Sequence, residues 1–201
     1  MATVVHRQQF PNFSNVTVDL NGTKVNVIVT ASGAMIDEWI NITVYNGRKF
    51  HSMRRLVVGF SLDRQANTLN FCVDRRCIIF QLSHADYIPV SLRYFLWERG
   101  VKMAGFRNTW QREVLFFSKH RLLMNMPAGD LSWMNSDLEK LSTEESISLH
   151  LGFKVELKEE IKTSDWSQKY LTDDQVLFAC VESYGSFFVG VELKMWHLFF
   201  T

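Results

Sequence analysis

The run Leu56–Leu62, LVVGFSL, passes through seven residues without a charge. Short apolar runs of this kind read as central strands, buried within a sheet. Two more strands follow at Leu69–Val73 and Cys77–Leu82, joined by Asp74-Arg75-Arg76, so three strands in quick succession predict a meander. A fourth core strand is expected at Val101–Phe106 and a fifth, short one at Leu122–Met126. Upstream, Val16–Leu20 and Lys24–Thr30 alternate apolar and polar residues on either side of Asn21-Gly22. Both positions of a two-residue hairpin turn need positive φ, and Asn-Gly supplies them, so this is an N-terminal β-hairpin.

Helical spacing occupies the gaps. Met35, Ile36, Trp39, Ile40 and Val44 fall on one face of a helix over Ala34–Tyr45, which Gly47 is placed to end. Pro89 suits the first turn of a helix running to about Arg99, and Trp110–His120 is another. Asp130 is placed to cap a helix with Leu131, Met134, Leu138 and Leu141 inward. Ser146–Leu151 is a further helix, closed by Gly152. Thr172 and Gln175 have capping-box spacing and open a long helix with Leu177, Cys180, Val181, Tyr184, Phe187, Phe188 and Val191 as its stripe. The expected architecture is α/β, a mixed five-stranded sheet flanked by helices, with an N-terminal β-hairpin.

The 201 residues suffice for one domain spanning 1–201, with no repeat or linker to divide it. Net charge is +1, so no global field draws the chain to nucleic acid, and any attraction must come from a local patch. Of its 12 arginines, Arg54-Arg55 and Arg75-Arg76 are the tightest pairs, and both read first as solvated surface. The first residues lack the apolar stretch of about 7–15 residues that an export signal needs. No run reaches the roughly 18 apolar residues of a membrane span. The expected setting is therefore intracellular, cytoplasm or nucleus, where the sequons at Asn12, Asn15, Asn21 and Asn41 are chance. Three cysteines without a CxxC fit reduced thiols better than a disulfide frame or a zinc site. The six histidines are scattered without zinc or nucleophile spacing, and no Gly-x-Ser-x-Gly elbow or phosphate loop occurs.

Several separated segments carry a resemblance. Val57-Val58-Gly59-Phe60-Ser61-Leu62-Asp63-Arg64 is similar to a strand reading V-V-G-F-D-x-E-W. Leu69-Asn70-Phe71-Cys72 through Cys77-Ile78-Ile79-Phe80-Gln81-Leu82 follows a pair reading L-x-L-C-x-x-x-x-C-L-I-x-Q-L. Lys102-Met103-Ala104-Gly105-Phe106 stands for a strand like F-V-G-V. Ser164-Asp165-Trp166, Leu171-Thr172, Gln175 and Phe178-Ala179-Cys180-Val181-Glu182-Ser183 match S-D-W-x-x-x-x-L-T-x-x-Q-x-x-Y-A-x-x-D-A. The chain thus resembles, over about 16–195, the plant Werner-type 3′–5′ exonucleases of the DEDD, ribonuclease-H-like superfamily. The resemblance implies a single ribonuclease-H-like (DnaQ-type exonuclease) domain acting on or binding single-stranded RNA or DNA. It also implies assembly, with itself or with an active relative, and Mg²⁺ or Mn²⁺ if the site is active.

Enzymes of that family hold two divalent ions with four carboxylates, one ion activating water and the other stabilising the leaving 3′ oxygen. Hard ions of this kind require oxygen ligands. Here the resemblance assigns Ser61 to the first Asp position and Asp63 to the Glu. It assigns Thr109, or Asn108 one register away, to the second Asp. Phe178 takes the place of a Tyr and Glu182 of the last Asp. Two carboxylates remain, Asp63 and Glu182, as candidate metal ligands, both of altered length. One lost electrostatic stabiliser costs roughly 10²–10³ in rate, so two-metal hydrolysis is expected to be weak or lost. The same residues have plainer readings: Asp63 as a strand-end acid, Glu182 as a solvent-facing helical acid, Phe178 as core.

Overall fold

The computed structural model describes residues 2–50, 56–125, 130–134 and 136–197. The expected α/β sheet is present, but it has seven strands rather than five, in the order β1-β2-β3-β6-β5-β4-β7. The strands are β1 (Ala2–Gln9), β2 (Phe13–Leu20), β3 (Thr23–Thr30), β4 (Leu56–Leu62), β5 (Leu69–Val73), β6 (Arg76–Phe80) and β7 (Val101–Ala104). Strands β3 and β6, and β4 and β7, run parallel, and the other neighbours run antiparallel. The hairpin β2–β3 is where the sequence places it, with Asn21 and Gly22 both at positive φ. Strand β3 pairs with β6, which makes the hairpin part of the sheet. Strand β1 escapes sequence patterning because it is an edge strand, mostly exposed, with little apolar alternation to read. Residues 122–125 form no strand, and Met126 lies outside the described residues, as do Arg54 and Arg55.

The helices cover both faces. Helices α1 (Gly33–Phe50), α2 (Val90–Trp97) and α3 (Asn108–Phe117) accompany a core built on Val58, Phe60, Leu62, Phe71, Ile78 and Phe80. The opposite core contains Val57, Cys72, Cys77, Ile79 and Ala104 under α5 (Thr143–Leu151) and α7 (Asp173–Glu192). Between α3 and α5 lie a 3₁₀ turn, Leu131–Trp133, and the short α4 (Ser136–Glu139). The single helix expected after Asp130 is thus two pieces, with Asp130 capping the first through Ser132 N–H. Helix α1 continues through Gly47 to Phe50, and a short helix α6 (Glu159–Lys162) stands outside the expected elements. The capping boxes Thr172/Gln175 and Ser142/Glu145 are complete in both directions, and Gly152 closes α5 at φ 74°.

Alternation along β4 sends Val58, Phe60 and Leu62 to one core and Val57, Gly59 and Ser61 toward α7. Register then aligns a row of small residues across the sheet: Val27, Cys77, Cys72, Gly59 and Ala104. Helix α7 lies in that trough. A Cβ on Gly59 would stand 1.9 Å from the Ser183 carbonyl oxygen and 2.7 Å from Phe187 Cβ. Cys72 and Cys77 oppose each other directly and are joined by a disulfide, leaving Cys180 free and buried. The expectation of three reduced thiols fails because register, which spacing alone does not reveal, brings two sulfurs face to face.

Gly59→Ala should cost about 3 kcal/mol or more of stability, because the added methyl meets backbone that belongs to a 20-residue helix. Urea denaturation at neutral pH measures this, and a loss under 1 kcal/mol would show that α7 can lift freely.

Candidate functional site

A cleft of about 1220 Å³ opens past the end of β4. Its walls come from the β4–β5 turn, the start of α3, the segment around Ser132–Glu145 and the α6–α7 region. All five positions singled out by sequence line it: Ser61 and Asp63, Thr109, Phe178 and Glu182. Strand alternation accounts for the first pair, helical spacing of four for the last. Asn108, the alternative to Thr109, lines no part of it; its side-chain amide donates to the Met103 carbonyl at 2.9 Å.

The two acids differ sharply. Asp63 sits at the start of the β4–β5 turn, buried, and both of its carboxylate oxygens are occupied. Oδ1 accepts Thr68 N–H at 2.6 Å and Thr68 Oγ at 3.2 Å. Oδ2 accepts Gln65 N–H at 3.0 Å and Asn67 Nδ2 at 3.1 Å. Burial raises its pKa, opposed by the hydrogen bonds from Thr68, Gln65 and Asn67. Asp63 therefore organises a turn, in the manner that lets Asp compete with regular structure.

Glu182 is held differently. The Ser61 hydroxyl lies beside it, and Asn70 Nδ2 donates to Ser61 Oγ at 3.1 Å. Ser61 and Asn70 are register partners on β4 and β5, so a polar chain runs from the sheet to α7. Burial pushes the Glu182 carboxyl up to about 7, while the positive charges of Lys162 and Arg107 pull it down. Phe178 is buried and meets Trp166 edge to face at 6.0 Å between ring centres. It is core and cleft wall at once.

Sequence reasoning missed most of the surroundings. Arg107 adopts left-handed backbone, φ 61°, just ahead of α3. Nothing in its local sequence announces that; such strain in a non-glycine residue tends to mark working sites. Lys162 and Arg64 both pair with Glu159, at 3.0 and 2.8 Å. The Ser164-Asp165-Trp166 and Gln175 motif proves to be a clasp: Gln175 Nε2 donates to Ser164 Oγ and to the Asp165 carbonyl, at 3.0 and 2.9 Å. Its Oε1 accepts Thr172 N–H at 2.9 Å, which fixes the start of α7 and hence Glu182.

Eight carboxylates line the cleft against three cations, Arg64, Arg107 and Lys162. Much of that acid is occupied by backbone N–H donors. Besides Asp63, Asp130 accepts from Arg107 and Ser132, Glu144 from Leu157, and Glu145 from Ser142. Among the described residues, no three His, Cys, Asp or Glu side chains converge where an ion could sit. The donor chemistry gives the reason: Ser61 and Thr109 offer only neutral hydroxyls, and Asp63 is saturated by hydrogen bonds. These residues do not fit a two-ion centre.

No protein-family model matches the chain. A protein of Acanthamoeba polyphaga mimivirus that carries a 3′-5′ exonuclease name is 22% identical over 191 residues, covering 85% of this chain and 46% of that protein. The chain spans about half the length of the curated relative it matches. Among solved structures, the Nibbler EXO domain of Aedes aegypti superposes with a TM-score of 0.65 at 11% identity, covering 84% of this chain and 87% of that one. Brucella melitensis NrnC superposes with a TM-score of 0.57 at 14% identity, covering 70% and 72%. The chain has the fold of a 3′-5′ exonuclease domain. No described helix is long and apolar enough to cross a membrane.

Asp63→Ala should cost about 2–3 kcal/mol, since it strands buried N–H groups of the turn, whatever it does to any reaction. Urea denaturation of the variant measures it. For Glu182 the sign is opposite. An unfolded glutamate titrates near 4.5 and the folded one near 7, so its contribution is full below pH 4.5 and is lost as pH rises through 7. Glu182→Gln should match wild type near pH 4 and exceed it by about 1–2 kcal/mol near pH 8. That is less than full burial would give, because the side chain is partly open to water. Paired denaturation curves at the two pH values decide this.

Proposed function

We propose that this chain holds the 3′ end of single-stranded nucleic acid in the cleft, and that two-metal phosphodiester hydrolysis there is weak or lost. The observation that carries the reading is the state of the motif positions. They assemble in one cleft of an exonuclease fold, yet only Glu182 offers a carboxylate not engaged by a turn. A fold that keeps its substrate groove while its ion ligands erode retains shape and polar surface, and loses charge stabilisation of the transition state. The mimivirus relative's name and the exonuclease-domain fold support nucleic acid as the ligand class.

The test uses 3′-labelled single-stranded RNA and DNA with Mg²⁺ and with Mn²⁺. The expected result is strand binding, with shortening absent or slower by about 10⁴-fold or more than for an exonuclease with all four carboxylates. Robust metal-dependent shortening, abolished by both Asp63→Ala and Glu182→Ala, would overturn the reading in favour of a working exonuclease with a rearranged site.

One observation favours a second reading, a non-catalytic subunit that assembles with itself or with an active relative. Tyr87, Val90, Tyr94 and Trp97 are all exposed, and the last three share one face of α2. Sedimentation velocity should show an oligomer that Tyr94→Glu dissociates; a monomer at all concentrations would remove it.

A further inference from the structure

Two exposed tryptophans stand in the cleft wall. Trp110 is 41% exposed and Trp133 is 71% exposed, and both line the cleft. Neither ring packs against another aromatic ring among the described residues. An exposed tryptophan leaves much apolar surface in water, and two along one groove present the apolar surface that a ligand-binding groove offers.

Their placement has a common anchor. Asp130 bridges to Gly105 beyond the end of β7, and Leu131 N–H donates to the Gly105 carbonyl at 2.9 Å. The same Asp130 Oδ1 accepts Arg107 N–H at 3.1 Å and Ser132 N–H at 3.2 Å. Two helical turns, the first of α3 and the 3₁₀ turn Leu131–Trp133, thus start side by side from one carboxylate. Each carries its tryptophan three residues after the anchored position: Arg107 to Trp110, Asp130 to Trp133. The backbone that carries both tryptophans is thus tied to one carboxylate.

We propose that Trp110 and Trp133 are a stacking site for the unpaired bases of a single strand, and that stacking is the main adhesive of this cleft. The inference rests on the reading above, that the cleft takes single-stranded nucleic acid, and adds what holds it. Charge decides between the two possible adhesives. With eight carboxylates and only three cations along the walls, and two of those cations paired to Glu159, attraction for phosphate is weak here. Stacking needs no charge and tolerates any base, since every base presents a π face. It also excludes duplex ends, whose bases are already stacked and paired.

The experiment is an anisotropy titration with fluorescein-labelled single-stranded oligothymidine and oligouridine in EDTA. The same strand with abasic 3′-terminal residues and a blunt duplex serve as comparisons. Wild type should bind both intact strands, with a log–log salt slope of about 1–2 in magnitude, as few phosphate contacts allow. Trp110→Ala and Trp133→Ala should each weaken binding by about 5- to 150-fold, the range for loss of one stacked base. Trp110→Phe and Trp133→Phe should recover most of it, and the abasic strand should bind as poorly as the alanine variants. Both sites are exposed, so thermal unfolding of the variants should match wild type. If wild type binds the intact strand but also binds the abasic strand equally, or if the alanine variants stay within twofold of wild type, stacking is overturned while the nucleic-acid reading stands. Failure of wild type to bind any strand, with or without Mg²⁺, overturns both.

Discussion

Helix α7 lies against β4 closely enough that only glycine fits at position 59. That contact decides where the cleft is and what faces it. Ser61 is two residues along the same strand face, and Glu182 is next to Ser183, whose carbonyl oxygen presses on Gly59. The closeness of Ser61 to Glu182 is thus a consequence of the sheet-to-helix distance. The trough that permits the approach is made of small side chains aligned by register across five strands, the Cys72–Cys77 disulfide among them. Next to it, Gly190 lets α7 close over Ala104 and Val57.

From the same geometry follows the division of labour among acids. A carboxylate stands at the end of the central strand β4, at Asp63. A carboxylate can accept about four hydrogen bonds, and Asp63 accepts four from its own turn. Its charge therefore stabilises a loop. Asp130, Glu144 and Glu145 are likewise taken up by backbone N–H groups. The result is a cleft rich in negative charge and poor in free ligands. Such a surface repels phosphate more than it grips it, so apolar and stacking contacts must carry any affinity for a strand.

What was legible depended on range. The Asn21-Gly22 turn, the Leu56–Leu62 strand, the Thr172/Gln175 capping box and the Gly152 helix stop all work through neighbours in the chain, and each is where the pattern puts it. The five motif positions were found by resemblance, and the fold gathers them in one cleft. The joining of the hairpin to the sheet, strand β1, the continuation of α1 past Gly47 and the break after Leu131–Trp133 were not legible. The hairpin joins the sheet through β6, about 50 residues further along the chain, which no local pattern announces, and β1 is an exposed edge strand with little alternation to read.

By itself, the sequence determined the segments whose signals are local, the Asn21-Gly22 hairpin, the Leu56–Leu62 strand and the capped start of α7, because periodicity and residue identity are local properties. Only the tertiary structure decided what the remaining charges do. Whether Asp63 is a ligand or a turn acceptor depends on where Gln65, Asn67 and Thr68 place their donors. Whether Glu182 is an ordinary surface acid or one pushed up to about 7 depends on its burial beside Ser61 and on the distance to Lys162 and Arg107. Whether Cys72 and Cys77 meet depends on register. Those are questions of a few ångströms between residues distant in the chain, and no pattern of residue types encodes a distance.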